Sequence, residues 1–197
     1  MDSSDAALVQ RLRDGDETAF TEVFDAHHPM LVRLAVAFVK DASVAEEIAQ
    51  DTWVAMMDAL GSFEGRSTLK TWIARIAINR AKTRALRDGR QVPLEEEDGS
   101  VDSSRFTFGF FKRPPARWDE TPEALVERQE VRAAIERCLA DLTDAQRAVV
   151  TLRDMEGWSS EEVCNALDVS ESNQRVLLHR GRGRLRAALE AVLGAKE

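Results

Sequence analysis

Ser62-Phe-Glu-Gly-Arg-Ser-Thr-Leu-Lys-Thr-Trp-Ile-Ala-Arg-Ile-Ala-Ile-Asn-Arg-Ala-Lys82 is the stretch from which the rest of the chain is read. It opens as a polar loop, Ser62 to Ser67. A long helix follows, because Leu69, Trp72, Ile73, Ile76 and Ala77 recur at intervals of three and four residues, and it closes before Gly89. Trp72 falls in the apolar stripe with Ile76 and reads as core, with a stacking platform as the other reading. The helix is strongly basic. From Arg66 to Arg90, the cations Arg66, Lys70, Arg75, Arg80, Lys82, Arg84, Arg87 and Arg90 face only Asp88.

Upstream, the pattern stays helical. Leu8 and Leu12 describe a short first helix ending on Gly15, and Phe20, Val23 and Phe24 lie on a second. Pro29 suits the first turn of a third helix better than a helix interior, and Leu31, Leu34, Ala35 and Phe38 give that helix its buried stripe. Ser43 is the expected N-cap of a fourth, with Glu46 completing a capping box. Val44, Ile48, Met56 and Leu60 point its apolar side inward and leave Glu47, Gln50, Asp51 and Asp58 outward; Gly61 ends it. These five helices are expected to form one domain over residues 1–90.

Downstream, residues 91–120 read as a linker, with Pro93, the acidic run Glu95 to Asp98, Gly99 and Pro114-Pro115. Phe106, Phe108, Phe110, Phe111 and Trp118 are too many aromatics for a purely solvated tether. Either the segment folds back on a domain or the rings dock on a partner. A second helical domain, 121–197, starts at Thr121-Pro122-Glu123, with capping boxes at Thr143-Asp-Ala-Gln146 and Ser159-Ser-Glu-Glu162 and Gly157 between the helices they start. Asp168-Val169 makes a tight turn and Ser170 caps a basic last helix, the pattern of a helix-turn-helix.

In that motif the second helix enters the major groove with its early side chains on base edges. Here it opens Glu171-Ser172-Asn173-Gln174-Arg175, where Asn and Gln suit adenine and Arg suits guanine. His179, Arg180, Arg182 and Arg184 are placed to meet phosphates. Gly181 and Gly183 each cost roughly 1 kcal/mol relative to Ala, so the C-terminal half of this helix is expected to fray off DNA.

Composition bounds the alternatives. The net charge over 197 residues is −8, yet the bases cluster in two segments of an otherwise acidic chain, which suggests two basic surfaces and a partner that delivers them. The stretch Leu31 to Val39 is broken by Arg33 and is far shorter than the roughly 20 residues a bilayer requires. The acidic N-terminus is unlike a secretory signal, and the expected location is the cytoplasm. Cys138 and Cys164 read as packing residues rather than a disulfide or a zinc site. Asp25, His27 and His28 offer no third ligand at a helical spacing from both histidines, which point to different faces. No metal, cofactor, catalytic residue or small-molecule substrate is expected.

The stretch Ser62 to Lys82 resembles conserved region 2 of the extracytoplasmic-function (ECF) sigma factors of bacterial RNA polymerase. Ala45-Glu-Glu-Ile-Ala-Gln-Asp-Thr-Trp53 is similar to that family's polymerase-docking helix. Residues from about 125 to 190 resemble region 4, with Ser172-Asn-Gln-Arg-Val-Leu-Leu-His-Arg180 matching its recognition helix. The resemblance implies an all-α fold of two small helical domains on a flexible linker. It implies that Glu47, Gln50 and Asp51 bind the β′ clamp helices of core polymerase, with the β flap a further contact. It implies that Phe63, Gly65, Arg66 and Ser67 capture an unstacked base of the minus-ten promoter element, with Lys70, Arg75, Asn79, Arg80 and Lys82 continuing the track. Such capture needs a surface that stacks the base and bonds its edge. The minus-thirty-five element falls to Ser170, Glu171, Ser172, Asn173, Gln174, Arg175, His179, Arg180, Arg182 and Arg184. An anti-sigma protein is a further implied partner. The rival reading is a helix-turn-helix regulator that is not a polymerase subunit; it would need a ligand or phosphoacceptor domain, and the first domain lacks the βα alternation of a phosphoacceptor.

Overall fold

Asp16, Asp41, Thr68, Thr143, Ser159 and Ser170 set the helix starts, each carrying a short polar side chain that accepts a backbone N–H the first turn would leave unpaired. The structure is a computed structural model; it describes residues 3–89, 106–107, 110–111, 135 and 137–194. The first domain contains α1 (Ser3–Arg13), α2 (Glu17–Val39), α3 (Ala42–Ala59), a 3-10 turn at Leu60–Ser62, and α4 (Leu69–Arg87). The second contains a helical stretch over 137–141, then α5 (Asp144–Val150), which widens into a π-turn over Thr151–Met155, α6 (Ser160–Leu167) and α7 (Glu171–Gly194).

Four helices, not five, build the first domain. Pro29 lies inside α2, which runs unbroken from Glu17 to Val39. A proline in a helix interior costs about 3 kcal/mol by removing one bond and crowding the carbonyl four residues back. Here that carbonyl belongs to Asp25, and both residues are exposed, so the missing bond lies on the solvent side of the helix. Val23, Met30, Leu31, Leu34, Ala35 and Phe38 are buried on either side of the proline, and their packing outweighs the lost bond. The N-cap of α3 is Asp41, not Ser43: its carboxylate accepts from Ser43 N at 2.9 Å and Val44 N at 3.0 Å. Glu46 instead meets His28 Nε2 at 2.9 Å, while Trp53 Nε1 donates to His28 Nδ1 at 3.1 Å. The box at Thr143 is half built, since Gln146 N bonds Thr143 Oγ1 while the Gln146 amide oxygen accepts from Arg184. The box at Ser159 is complete in both directions.

The expected turn between α6 and α7 is present, with Asp168 left-handed at φ 59° and Asn173 N bonded to Ser170 Oγ at 3.2 Å. Helix α7 runs through Gly181 and Gly183 without a break, contrary to the expected fraying. Gly181 sits where α5 crosses: a Cβ there would come within 2.6 Å of Val150 Cγ2. Close approach of two helices is therefore what that glycine provides.

Most of the linker, including Phe108 and Trp118, and the start at Thr121 lie outside the described residues. Phe106–Thr107 (β1) and Phe110–Phe111 (β2) pair antiparallel as a two-residue ribbon, an exception to the helical pattern. Among the described residues no helix is long and apolar enough to cross a membrane. The two domains touch. One apolar cluster includes Leu34, Phe38, Ile73 and Ile78 of the first together with Leu142, Leu152, Trp158 and Leu177 of the second.

Candidate nucleic-acid interface

The loop between α3 and α4 is held in shape from α1. Arg13 donates to Leu60 O at 3.2 Å and to Phe63 O at 2.8 Å, and Asp5 Oδ2 accepts from Leu69 N at 3.1 Å. Gly65 takes φ 69°, a left-handed turn that a side chain would strain. Neither Arg13 nor Asp5 stood out in the sequence, because their partners are backbone atoms about 50 to 60 positions away.

The loop borders a cleft of about 310 Å³ lined by Ser62, Phe63, Glu64, Arg66, Ser67, Thr71, Trp72, Arg75 and Asn165. Phe63 is buried, its ring 4.9 Å from that of Trp72, so Phe63 supports the cleft from behind. Trp72 is only half-buried and lines the opening. Of its two readings, the geometry offers both: Trp72 and its stripe neighbour Ile76 pack, partly buried, against the core, and one side of Trp72 faces the cleft. Arg66, paired with Glu64, and Arg75 are exposed at the rim.

The basic residues of α4 do not form one continuous track. Arg75 and Asn79 are exposed. Arg80 turns to α3, 3.6 Å from Asp51, and Arg84 stands 3.6 Å from Glu47. Lys70 Nζ is 3.0 Å from Glu162 of α6 and 4.4 Å from the ring centre of Trp158. Lys82 Nζ donates to Leu167 O, at the C-terminal end of α6, at 3.4 Å. Burial pushes the Lys82 ammonium below its ordinary pKa, and Arg75 adds to that, against Asp168. Burial raises the Glu162 carboxyl, but the Ser159 N–H and Lys70 outweigh it and hold the group below its usual range.

On α3, Glu47, Gln50 and Asp51 share an exposed face, with Val54 exposed among them. On α7, helical spacing sets Glu171, Arg175, His179 and Arg182 on one side. Glu171, Ser172, Arg175 and Arg182 are exposed, while Asn173, His179 and Arg180 are partly so. Arg175 pairs with Glu171 and Arg182 with Asp154, the latter bond raising the Arg182 pKa. Desolvation lowers that of His179.

Two expected members fall away from this face. Gln174 is buried, its amide oxygen accepting from Ser160 Oγ at 2.9 Å, and it ties α7 to α6 where a base reader would reach outward. Arg184, though exposed, donates to Gln146 Oε1 at 2.9 Å on the α5 side. The spacing that separates these faces was in the sequence; the packing direction was not.

Residues 23–91 match the family "Sigma-70 region 2" and residues 132–185 match "Sigma-70, region 4". The RNA polymerase sigma-H factor of Pseudomonas aeruginosa is 32% identical over 190 residues, covering 96% of this chain and 95% of that protein. The ECF RNA polymerase sigma-E factor of Escherichia coli K12 is 28% identical over 91% of each. Among solved structures, CnrH in complex with the cytosolic domain of CnrY superposes with a TM-score of 0.64 at 23% identity, covering 96% of this chain and 99% of that one. The sigma factor RpoE of Bartonella quintana, in complex with the anti-sigma factor NepR, gives 0.59 at 23% identity, covering 87% and 96%. At such identities the structures speak for the fold, and the sequence matches carry the assignment: the chain belongs to the sigma-70 family of RNA polymerase sigma factors, in its ECF branch.

Proposed function

We propose that this chain is a transcription initiation subunit that binds core RNA polymerase in the cytoplasm and directs it to promoters. Its first domain (1–90) captures and melts the minus-ten element, and its second (121–197) reads the minus-thirty-five element. The linker between them is 91–120. The observation that carries the reading is the cleft rimmed by Arg66 and Arg75 of the first domain, lined also by Asn165 of α6, together with the helix-turn-helix of the second. A cleft beside exposed cations suits an unstacked base and its phosphate, while the helix-turn-helix suits duplex DNA. Trapping bases offsets an unstacking cost of a few kcal/mol per base, so melting needs no catalytic group. Glu47, Gln50 and Asp51 are the proposed polymerase contacts, on the clamp helices of β′, with the β flap a further contact. An anti-sigma protein is the proposed regulator, in keeping with the complexes named for the structural relatives.

Reconstitution tests this. The chain added to core polymerase is expected to start defined transcripts from a genomic promoter pool, and Asp51→Arg is expected to weaken core binding without loss of helicity. No specific start across the pool, or full core affinity in the variant, would count against the respective claim. Arg175→Ala is expected to weaken promoter binding by about 1–3 kcal/mol and to relax discrimination at one base pair. A uniform loss over all sequences in a binding-selection assay would make Arg175 a phosphate contact instead.

A further inference from the structure

Behind the proposed docking face, four side chains of α2 and α3 form one chain of hydrogen bonds. Trp53 is buried, and its indole N–H can only donate; it reaches His28 Nδ1 at 3.1 Å. That contact fixes the ring. Nδ1 is the acceptor, so the ring proton sits on Nε2, which donates to Glu46 Oε1 at 2.9 Å. Phe24 stacks on the imidazole, with centres 4.5 Å apart and planes 14° from parallel, and so holds its tilt. The same Glu46 oxygen accepts from Gln50 Nε2 at 3.4 Å. Gln50 stands one helical turn after Glu46 and is exposed, as are Glu47 and Asp51.

From this we infer that His28 is a positioning residue for polymerase docking: anchored by Trp53, it holds the Glu46 carboxylate where that group fixes the Gln50 amide on the docking face. This rests on the proposed reading of Glu47, Gln50 and Asp51 as the polymerase contacts. An unrestrained glutamine on an exposed helix face samples several rotamers, and a partner that binds one of them bears the entropy of selecting it. Here the selection is made before the partner arrives. With its N–H on Glu46, Gln50 offers its amide oxygen, so the face presents acceptors throughout: two carboxylates and one carbonyl. Glu46 alone does not suffice, because 3.4 Å is at the long end of hydrogen bonding and His28 is what ties that carboxylate to α2. The entropy of ordering one such side chain sets the size of the effect, about two- to tenfold in affinity for core polymerase.

Three full-length variants, each made with and without Gln50→Ala, test this by binding to immobilised core polymerase. His28→Phe keeps a ring to stack on Phe24 but can neither accept from Trp53 nor donate to Glu46. His28→Gln restores both functions, its amide oxygen for Trp53 and its nitrogen for Glu46. Glu46→Ala removes the shared acceptor and leaves the bond from Trp53 to His28 in place. His28→Phe and Glu46→Ala are each expected to weaken core binding by about two- to tenfold, with His28→Gln close to wild type. In the Gln50→Ala background no amide remains to be held, so none of the three is expected to change affinity further. A merely structural role would lower the urea midpoint and spare affinity, or cost the same affinity in both backgrounds; either result overturns the inference. So does a His28→Gln variant as weak as His28→Phe. Wild-type affinity in Gln50→Ala alone would instead remove Gln50 from the docking face, and the positioning role with it. Circular dichroism confirms the helices of each variant, and Glu46→Ala carries the test if His28→Phe does not fold.

Discussion

Arg147→Met is expected to destabilise the chain by about 3–5 kcal/mol, the largest loss foreseen for a single side chain here. The Arg147 guanidinium is buried and donates to four main-chain carbonyls: Leu139 at 2.5 Å, Ala140 at 3.0 Å, Leu142 at 2.7 Å and, across the domain interface, Ala37 at 2.7 Å. Its charge is met by Asp144 at 3.5 Å. Three of those carbonyls lie at or just beyond the end of the helical stretch over 137–141, where a helix leaves its last acceptors without partners. Methionine fills much of the same volume but donates nothing. The carbonyls of Ala37 and Leu142, both buried, then each lose about 1–3 kcal/mol of compensation unless water reaches them, those of Leu139 and Ala140 lose less, and Asp144 keeps only Lys40, at 4.0 Å, as a counter-charge. Arg147→Lys is expected to recover only part of the loss, because an ammonium has three donors on a point and cannot span a fork. Urea titration of both variants measures this. A loss below about 1 kcal/mol for the methionine variant would show that water satisfies those carbonyls.

Arg147 also shows what the sequence could and could not deliver. It stands in the run Asp144-Ala-Gln-Arg147, which reads as an ordinary first helical turn with an exposed cation. Its four acceptors are carbonyls, and every residue has one, so no side-chain pattern betrays the contact. The same blindness hid Arg13 and Asp5, which shape the α3–α4 loop through main-chain atoms. What repeats with helical period was legible: the buried stripes of α2, α3 and α4, the exposed face of Glu47, Gln50 and Asp51, and the turn before Ser170. What depends on one competing term was not. Pro29 was read as a helix start because local cost argues for it, and the apolar packing on either side overrode that cost. Asp41 took the cap from Ser43 since both can serve and only the chain path chooses. Gln174 was placed on the base-reading face by residue type, whereas its position in the helical turn aims it at Ser160.

The glycines of α7 give the second large effect, and one whose sign changes within a single turn. Gly183→Ala is expected to stabilise the second domain by up to about 1 kcal/mol, since helix propensity favours alanine by that amount and nothing lies within 4 Å of the new Cβ. Gly181→Ala carries the same propensity gain but places its Cβ 2.6 Å from Val150 Cγ2. Val150 is β-branched and buried, with little freedom to turn away, so α7 must shift off α5. Overpacking of this kind costs about 1–3 kcal/mol, and larger side chains such as leucine at this position are expected to cost more. A shift of α7 also tilts the helix that carries Arg175, so promoter affinity should fall with stability at Gly181 and stay level at Gly183. The cause is isolated by a double-mutant cycle with Val150→Ala, which removes the methyl that the new Cβ strikes. In that background Gly181→Ala is expected to become neutral or stabilising, a coupling of about 1–3 kcal/mol between the two positions. Additive losses in denaturation experiments would place the origin of the Gly181 effect somewhere other than the α5–α7 crossing.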